Sequence, residues 1–337
     1  LYYQPGSLKA RLCVDGRRRL LDFCDAEDIP VGRSGKVVVA TRDDQVASLE
    51  ELLARGMANG LEGLERLGRR GITDHEPHAS GVAGIWVPET SVVDYALVAQ
   101  KLASRLNVKT SFAVDSIVST ASGVRITAGE RAVEAHRLVN CAGLQSDRIA
   151  ALAGVRTDLR IVPFRGEYFV LDDASAGLVR SMIYPVPDPR CPVLGVHFTR
   201  MVDGSVDVGP NAVLALAREH YRGTRPSPSD LMDTIAWPGF WKLVAKYWRT
   251  GTREMWHSLR SRAYAALARD LLPELGLSSL TTGVAGVRAQ AVGRDGRLVD
   301  DFEIIRSDLG VHVLNAPSPG ATSSLAIGGQ IASEVDL

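Results

Sequence analysis

The chain has 337 residues, 45% of them hydrophobic, enough for two domains or one large α/β unit with a sizeable core. Its 39 Lys and Arg balance 39 Asp and Glu, so overall charge gives no argument for a nucleic-acid partner. Cys13, Cys24, Cys141 and Cys191 make no CxxC pair, and no apolar run approaches the length of a membrane span, which argues against a disulfide scaffold, a cysteine-held metal and a transmembrane helix.

Leu1, Tyr2 and Tyr3 lead into a Pro5-Gly6 turn, and Ser7 or Gly6 caps a helix over 8–24 whose apolar positions Leu8, Leu12, Leu20, Leu21 and Phe23 fall roughly on one face. Residues 36–41 (KVVVAT) read as a β-branched strand, and Asp43 with Asp44 begins a second helix through Leu49, Leu52 and Leu53. A loop is expected over 72–77 and a short strand at Ile85-Trp86-Val87. The spacing of Val93, Leu97, Val98 and Leu102 predicts a helix over 92–106 with Asp94 near its start; strands over 108–120 and 123–127 follow. In HRLVNCAGLQSDRIAALAG, a strand at Leu138-Val139, the small residues Cys141-Ala142-Gly143 and a helix from Ser146 make a seat for a ligand at a strand's C-terminal edge.

From Ile161 the texture changes to longer strands. Residues 164–171, 181–189, 193–201 and 205–213 read as an antiparallel sheet with turns at Asp188-Pro189 and Asp203-Gly204. Residues 229–262 are helical and aromatic, with a break at Pro238-Gly239, and pack over that sheet. The C-terminal stretch reads as strand, polar turn and strand, then a loop at 317–320 that opens a helix over 325–335. Free N–H groups and the positive end of the helix dipole meet at that loop, and its small residues let a flat ligand approach the main chain. An ordinary capped helix is the simpler reading of the loop alone.

The order LYYQPGSLKA, GIWVPETSVVDY, LVNCAGLQSDRIA, PFRGEYF, MIYPVPDP, LGVHFTRMVDGSVDVGPNAV, AGVRAQAV, DGRLVDDF and NAPSPGATSS closely resembles L-2-hydroxyglutarate oxidases and dehydrogenases, of the FAD-dependent D-amino-acid oxidase superfamily. The resemblance implies a mixed α/β fold: a Rossmann-like FAD-binding domain and an antiparallel-sheet substrate domain with covering helices. It places the first in 1–35, 88–160 and 282–337 and the second in 36–87 and 161–281. The family's GxGxxG βαβ unit is not in this sequence, since Gly81, Gly84 and Gly143 lack that context. The expectation is a segment preceding Leu1.

Oxidation of a 2-hydroxy acid moves a hydride from C2 to the flavin while a base takes the hydroxyl proton. His197, in GVHFTR, is the candidate base; a structural histidine is the alternative. The substrate is a dicarboxylate, so two cations are expected, with Arg288 and Arg165 first and Arg200 in reserve; for each the alternative is a salt bridge. Tyr3, Tyr168, Tyr184 and Asn315 are further candidates for the substrate pocket. The resemblance puts Val114 near the adenine, Ala142 and Gly143 beneath the pyrophosphate, and Gly286, Pro319, Gly320, Ala321 and Thr322 near the ring system. The electron acceptor expected is oxygen or a membrane quinone, and the location cytoplasmic, with peripheral contact at the inner membrane compatible. The rival readings are another oxidase of the superfamily, for amino acids, sarcosine or glycerol 3-phosphate, and a fragment without activity.

Overall fold

A computed structural model describes residues 1–187, 195–209, 213–219, 221, 225–258 and 261–335, with the backbone alone at 249, 250, 252–258, 261 and 262. The turn predicted at Asp188-Pro189, the first two residues of VLGVHFTRM, Cys191 and the Trp256 side chain lie outside that description.

Nine of the described strands form one sheet. Its backbone is the 13-residue strand Leu159–Leu171, which pairs antiparallel with Leu280–Gly293 along one edge and with Val206–Gly209 and Val213–Leu214 along the other. His197–Arg200, Met182–Pro185, Lys36–Ala40, Ala83–Val87 and Glu65–Gly68 extend it. The one parallel pairing is between Met182–Pro185 and Lys36–Ala40; the rest are antiparallel. Lys36–Ala40 is buried throughout because helices cover both sides. Alternation sends Val37 and Val39 to one face, where they meet Ile72, Phe198 and Leu272, and Val38 and Ala40 to the other, where they meet Leu49 and Leu52 of the helix Val46–Ala58. Trp237, Phe240 and Leu243, at the junction of the helices Pro228–Ala236 and Pro238–Ser258, close over Val162 and Val292, as the aromatic run suggested.

A smaller sheet joins Glu303–Ser307, Gly310–Asn315 and Leu138–Asn140, the last two parallel. The helix Ser324–Glu334 packs its Ile327 and Ile331 on Val311 and Val313, and touches the first helix, Leu8–Ala26. That first helix is capped as its sequence indicates, with the Ser7 hydroxyl accepting from Ala10 N at 3.2 Å. Gly16 lets it approach the C-terminal loop backbone to backbone: a Cβ there would stand 2.5 Å from Ser323 Cα.

Three local expectations differ. Residues 72–77 are not a loop throughout, since Arg69–His75 is a helix with only Ile72 buried. The strand predicted over 108–120 forms only at Ser116–Thr120, so Val114 sits just before it, packed against the cluster of Ile117 and Val124. Arg131–Ala135 adds a third strand beside Gly123–Ala128. No described helix is long and apolar enough to cross a membrane.

Candidate active site

The sheet and the C-terminal loop enclose a cavity of about 1180 Å³. Its floor is one face of the large sheet. Phe198 and Phe169 point into the core on the opposite side, so alternation turns His197 and Tyr168 toward the cavity, and both line it with Tyr184 and Arg288.

His197 is 7% exposed. Its Nδ1 lies 2.9 Å from the Gly195 carbonyl, an acceptor only, so Nδ1 carries the proton and Nε2 the lone pair. Burial, above all, lowers its pKa to about 4, with the Arg288 and Lys36 charges acting the same way against the Gly195 hydrogen bond. The imidazole is therefore neutral at neutral pH. Its ring lies 4.2 Å from that of Tyr184, whose hydroxyl is 3.4 Å from Thr199 Oγ1 and whose pKa burial raises.

The roof is the segment from Asn315 to Ser324. Gly320 N donates to Pro317 O, Ser323 N to Pro319 O and Ser324 N to Ala321 O, winding the loop tightly into the helix start. Tyr3 reaches it through Ser318 Oγ at 3.1 Å, and Tyr95 through Thr322 Oγ1 at 3.2 Å. Asn315 is buried and its Nδ2 donates to the carbonyls of Val299 and Asp301, fixing the adjacent 299–301 wall. On the third side is the turn Gly143–Gln145, in which Gly143 has φ +53°, the left-handed region that favours glycine.

The structure thus brings His197, Arg288, Tyr168, Tyr184, Asn315, Gly143 and Gly320 to one cavity. Arg165 does not join Arg288. Phe164 is the residue directly opposite Arg288, and Arg165 pairs across the ladder with Val287, so its side chain emerges on the other face, 3.4 Å from Glu167. Arg200 is likewise on the face of Phe198, where it donates to the carbonyls of Val179, Gly204 and Ala176. Ala142, Pro319 and Ala321 adjoin lining residues without lining the cavity themselves, Thr322 lies two residues from both Gly320 and Ser324, and Gly286 lies two residues before Arg288 on the same strand.

Two features escaped the sequence reading. Tyr2 lines the cavity, and the buried Lys36 ammonium lies 4.8 Å from the Tyr2 ring centroid and 5.0 Å from that of Tyr184. A lysine opening a run as apolar as KVVVA was the available signal, because such a strand leaves its first residue no solvent. Beneath the Gly143 turn, Asn140 Nδ2 donates to Ser146 O at 2.8 Å and meets His312 Nδ1 at 3.3 Å, while Ala142 N donates to Asn140 Oδ1 at 3.1 Å. Asp147, next in the chain, takes both Nη atoms of the buried Arg218 at 2.5 and 3.0 Å and accepts from Ile161 N at 2.9 Å.

Residues 1–334 match the family model described as FAD dependent oxidoreductase, which sets the class. The chain is 46% identical over 339 residues to the L-2-hydroxyglutarate dehydrogenase of Indibacter alkaliphilus, covering 98% of this chain and 84% of that protein. It is 41% identical over 358 residues to the mitochondrial L-2-hydroxyglutarate dehydrogenase of Homo sapiens, covering 99% and 77%. The chain belongs to the L-2-hydroxyglutarate dehydrogenase family of FAD-dependent oxidoreductases. Among solved structures, the dithionite-reduced L-alpha-glycerophosphate oxidase of Mycoplasma pneumoniae with FAD bound shares the fold at TM-score 0.74 and 20% identity, covering 99% of this chain and 81% of that one. A glycine oxidase from Geobacillus kaustophilus does so at 0.69 and 14%, covering 99% and 80%.

The residues present fit FAD, the cofactor of the class. Gly143 and Gly328 both line the cavity, and a Cβ on either would meet nothing within 4 Å, leaving the main chain open to a flat ligand. At the start of Ser324–Glu334 the backbone donors and the helix dipole favour negative charge.

Proposed function

We propose that this chain oxidises L-2-hydroxyglutarate to 2-oxoglutarate. The observation that carries the reading is a buried, neutral imidazole beside a guanidinium in one cavity beneath the 315–320 loop. Bound FAD supplies the acceptor for the hydride that leaves C2. Arg288 holds the C1 carboxylate, for which its planar fork is suited. His197 keeps Nδ1–H on the Gly195 carbonyl and takes the hydroxyl proton at Nε2. Tyr168 and Tyr184 wall the reacting carbon from water, and the Tyr3 hydroxyl steadies Ser318. Arg165 and Arg200 act from the far face, on the sheet rather than on substrate.

In the same reading Gly143, with Ala142 behind it, and the Gly320 loop, with Pro319, Ala321 and Thr322, hold the cofactor. Gly286 faces its ring edge and Val114 supports the adenine side. The cofactor domain comprises 1–35, 88–160 and 282–337, and the substrate domain 36–87 and 161–281. The electrons leave for oxygen or a membrane quinone, in a cytoplasmic protein that meets the inner membrane peripherally in the second case.

The test is anaerobic bleaching of the flavin absorbance in FAD-loaded protein. L-2-hydroxyglutarate should bleach it completely, and glycerol 3-phosphate, sarcosine and glycine should leave it yellow. Bleaching by one of those three in preference to the hydroxy diacid would overturn the assignment. Quinone added after bleaching, against oxygen added after bleaching, identifies the acceptor by the faster recovery.

A further inference from the structure

Among the described residues Lys36 is a cation without a counter-ion. It is 7% exposed, and no carboxylate among the described residues makes an ion pair or hydrogen bond with its ammonium. Tyrosine rings flank it instead, Tyr2 at 4.8 Å and Tyr184 at 5.0 Å. An unpaired buried charge is costly, and two cation–π contacts offset only part of that cost. Such a charge is retained where an anion arrives to meet it.

Its position says which anion. Lys36 shares a strand face with Val38, and Val38 stands opposite Tyr184 in the parallel ladder, so Lys36 projects from the sheet face that carries Tyr184 and His197. Both rings that flank it line the cavity, while Lys36 itself is not among the lining residues and meets the cavity through the gap between them. Arg165 and Arg200 project from the opposite face. Of the cations that line the cavity besides Arg288, Lys246 and Arg297 are exposed, where water screens them, and Lys9 is half-buried with its ammonium 5.8 Å from the Tyr3 ring centroid, away from the Tyr2 and Tyr184 pair that flanks Lys36. A five-carbon diacid spans roughly 5 Å between its carboxyl carbons, about the width of one aromatic ring. With C1 on Arg288 and the hydroxyl on His197, its far end crosses the Tyr184 ring.

We infer that Lys36 binds the distal carboxylate of the substrate and so sets the preference for a hydroxy diacid over a hydroxy monoacid. This rests on the proposed oxidation of L-2-hydroxyglutarate. The depressed pKa of Lys36, about 8 and due first to burial, agrees with a site that is short of negative charge until a ligand enters.

Calorimetric titration of FAD-loaded protein with glutarate and with butyrate, neither of which can react, tests it. Wild type should bind glutarate more tightly than butyrate; if it does not, the dicarboxylate reading fails and the inference with it. Given that preference, Lys36→Met should weaken glutarate roughly 100-fold and butyrate less than threefold, and Lys36→Arg should keep most of the preference. Equal weakening of both ligands, or of neither, overturns the role of Lys36 alone. Thermal unfolding separates a merely structural clamp: Lys36→Met should melt no lower than wild type, because an unpaired buried charge is removed. A lower melting temperature with an unchanged preference for glutarate overturns the inference, and Lys36→Gln, which keeps a polar head, decides the binding question if the Met variant does not fold.

Discussion

Replacement of Arg218 by Met should damage both stability and cofactor binding. Arg218 and Asp147 have side chains only 1% and 2% exposed, joined by two short contacts, and Arg218 Nη1 also donates to Leu144 O at 2.6 Å. Removal of one partner of such a pair costs about 3 to 5 kcal/mol, because the survivor is left charged and buried. Asp147 retains Ile161 N and Arg148 N as donors, and Arg160 Nε stands 4.0 Å away, so the loss should lie near about 3 kcal/mol. Urea unfolding monitored by tryptophan fluorescence measures it. The double variant Arg218→Met, Asp147→Asn should recover about 1 to 2 kcal/mol of that loss, since no net charge then remains buried. Leu144 belongs to the turn that presents Gly143 to the cavity, so FAD affinity should fall in step with stability. A single variant that loses less than about 1 kcal/mol, or a double variant less stable than either single one, would refute the argument that this pair holds the turn.

Three other outcomes follow from the same geometry. His197→Gln should keep FAD, read from its absorbance, while the rate of flavin reduction falls by roughly two to four orders of magnitude; an unchanged rate removes His197 from the chemistry. In the pH profile of kcat/KM the acid limb should lie near pH 4, because the free imidazole is already deprotonated above its lowered pKa, and the alkaline limb near pH 8, where Lys36 loses its charge. The acid limb of kcat should sit higher, since a bound dianion raises the pKa of His197; coincident limbs would contradict the placement of that anion. Gly16→Ala should cost roughly 1 to 3 kcal/mol in thermal unfolding and loosen FAD, because its Cβ would meet backbone atoms Ser323 Cα at 2.5 Å and Thr322 O at 2.7 Å.

Elements with a strong periodic stripe or a good cap were legible in the sequence. The Leu8–Ala26 helix with Ser7, the Tyr95–Ala103 helix capped by Asp94, and the Gly310–Asn315 strand feeding Ser324–Glu334 all lie close to where their residues put them. Arg69–His75 was not legible, because a seven-residue helix that buries only Ile72 has no stripe to read. Neither was Arg131–Ala135, an exposed edge strand without a buried face. At the site, the motifs pointed to His197 and Arg288, which share the cavity. That Arg165 and Arg200 face away depends on which residues stand opposite in the ladders, a fact about register that no local pattern encodes. Lys36 was hidden for another reason: lysines are mostly exposed, and its strand is buried because the helix that follows covers one face and remote segments holding Ile72, Phe198 and Leu272 cover the other.

The long pairing of Leu159–Leu171 with Leu280–Gly293 also governs when the molecule can finish folding. Thr281 bonds Val170 across a sequence separation of 111 residues, so the sheet floor cannot close until the chain through Gly293 has left the ribosome. At roughly 5 to 20 residues per second the first of these strands waits on the order of 6 to 20 s for its partner, with an unpaired edge and its apolar face uncovered. During synthesis that edge waits open, and the candidate cavity above it is among the last features to form.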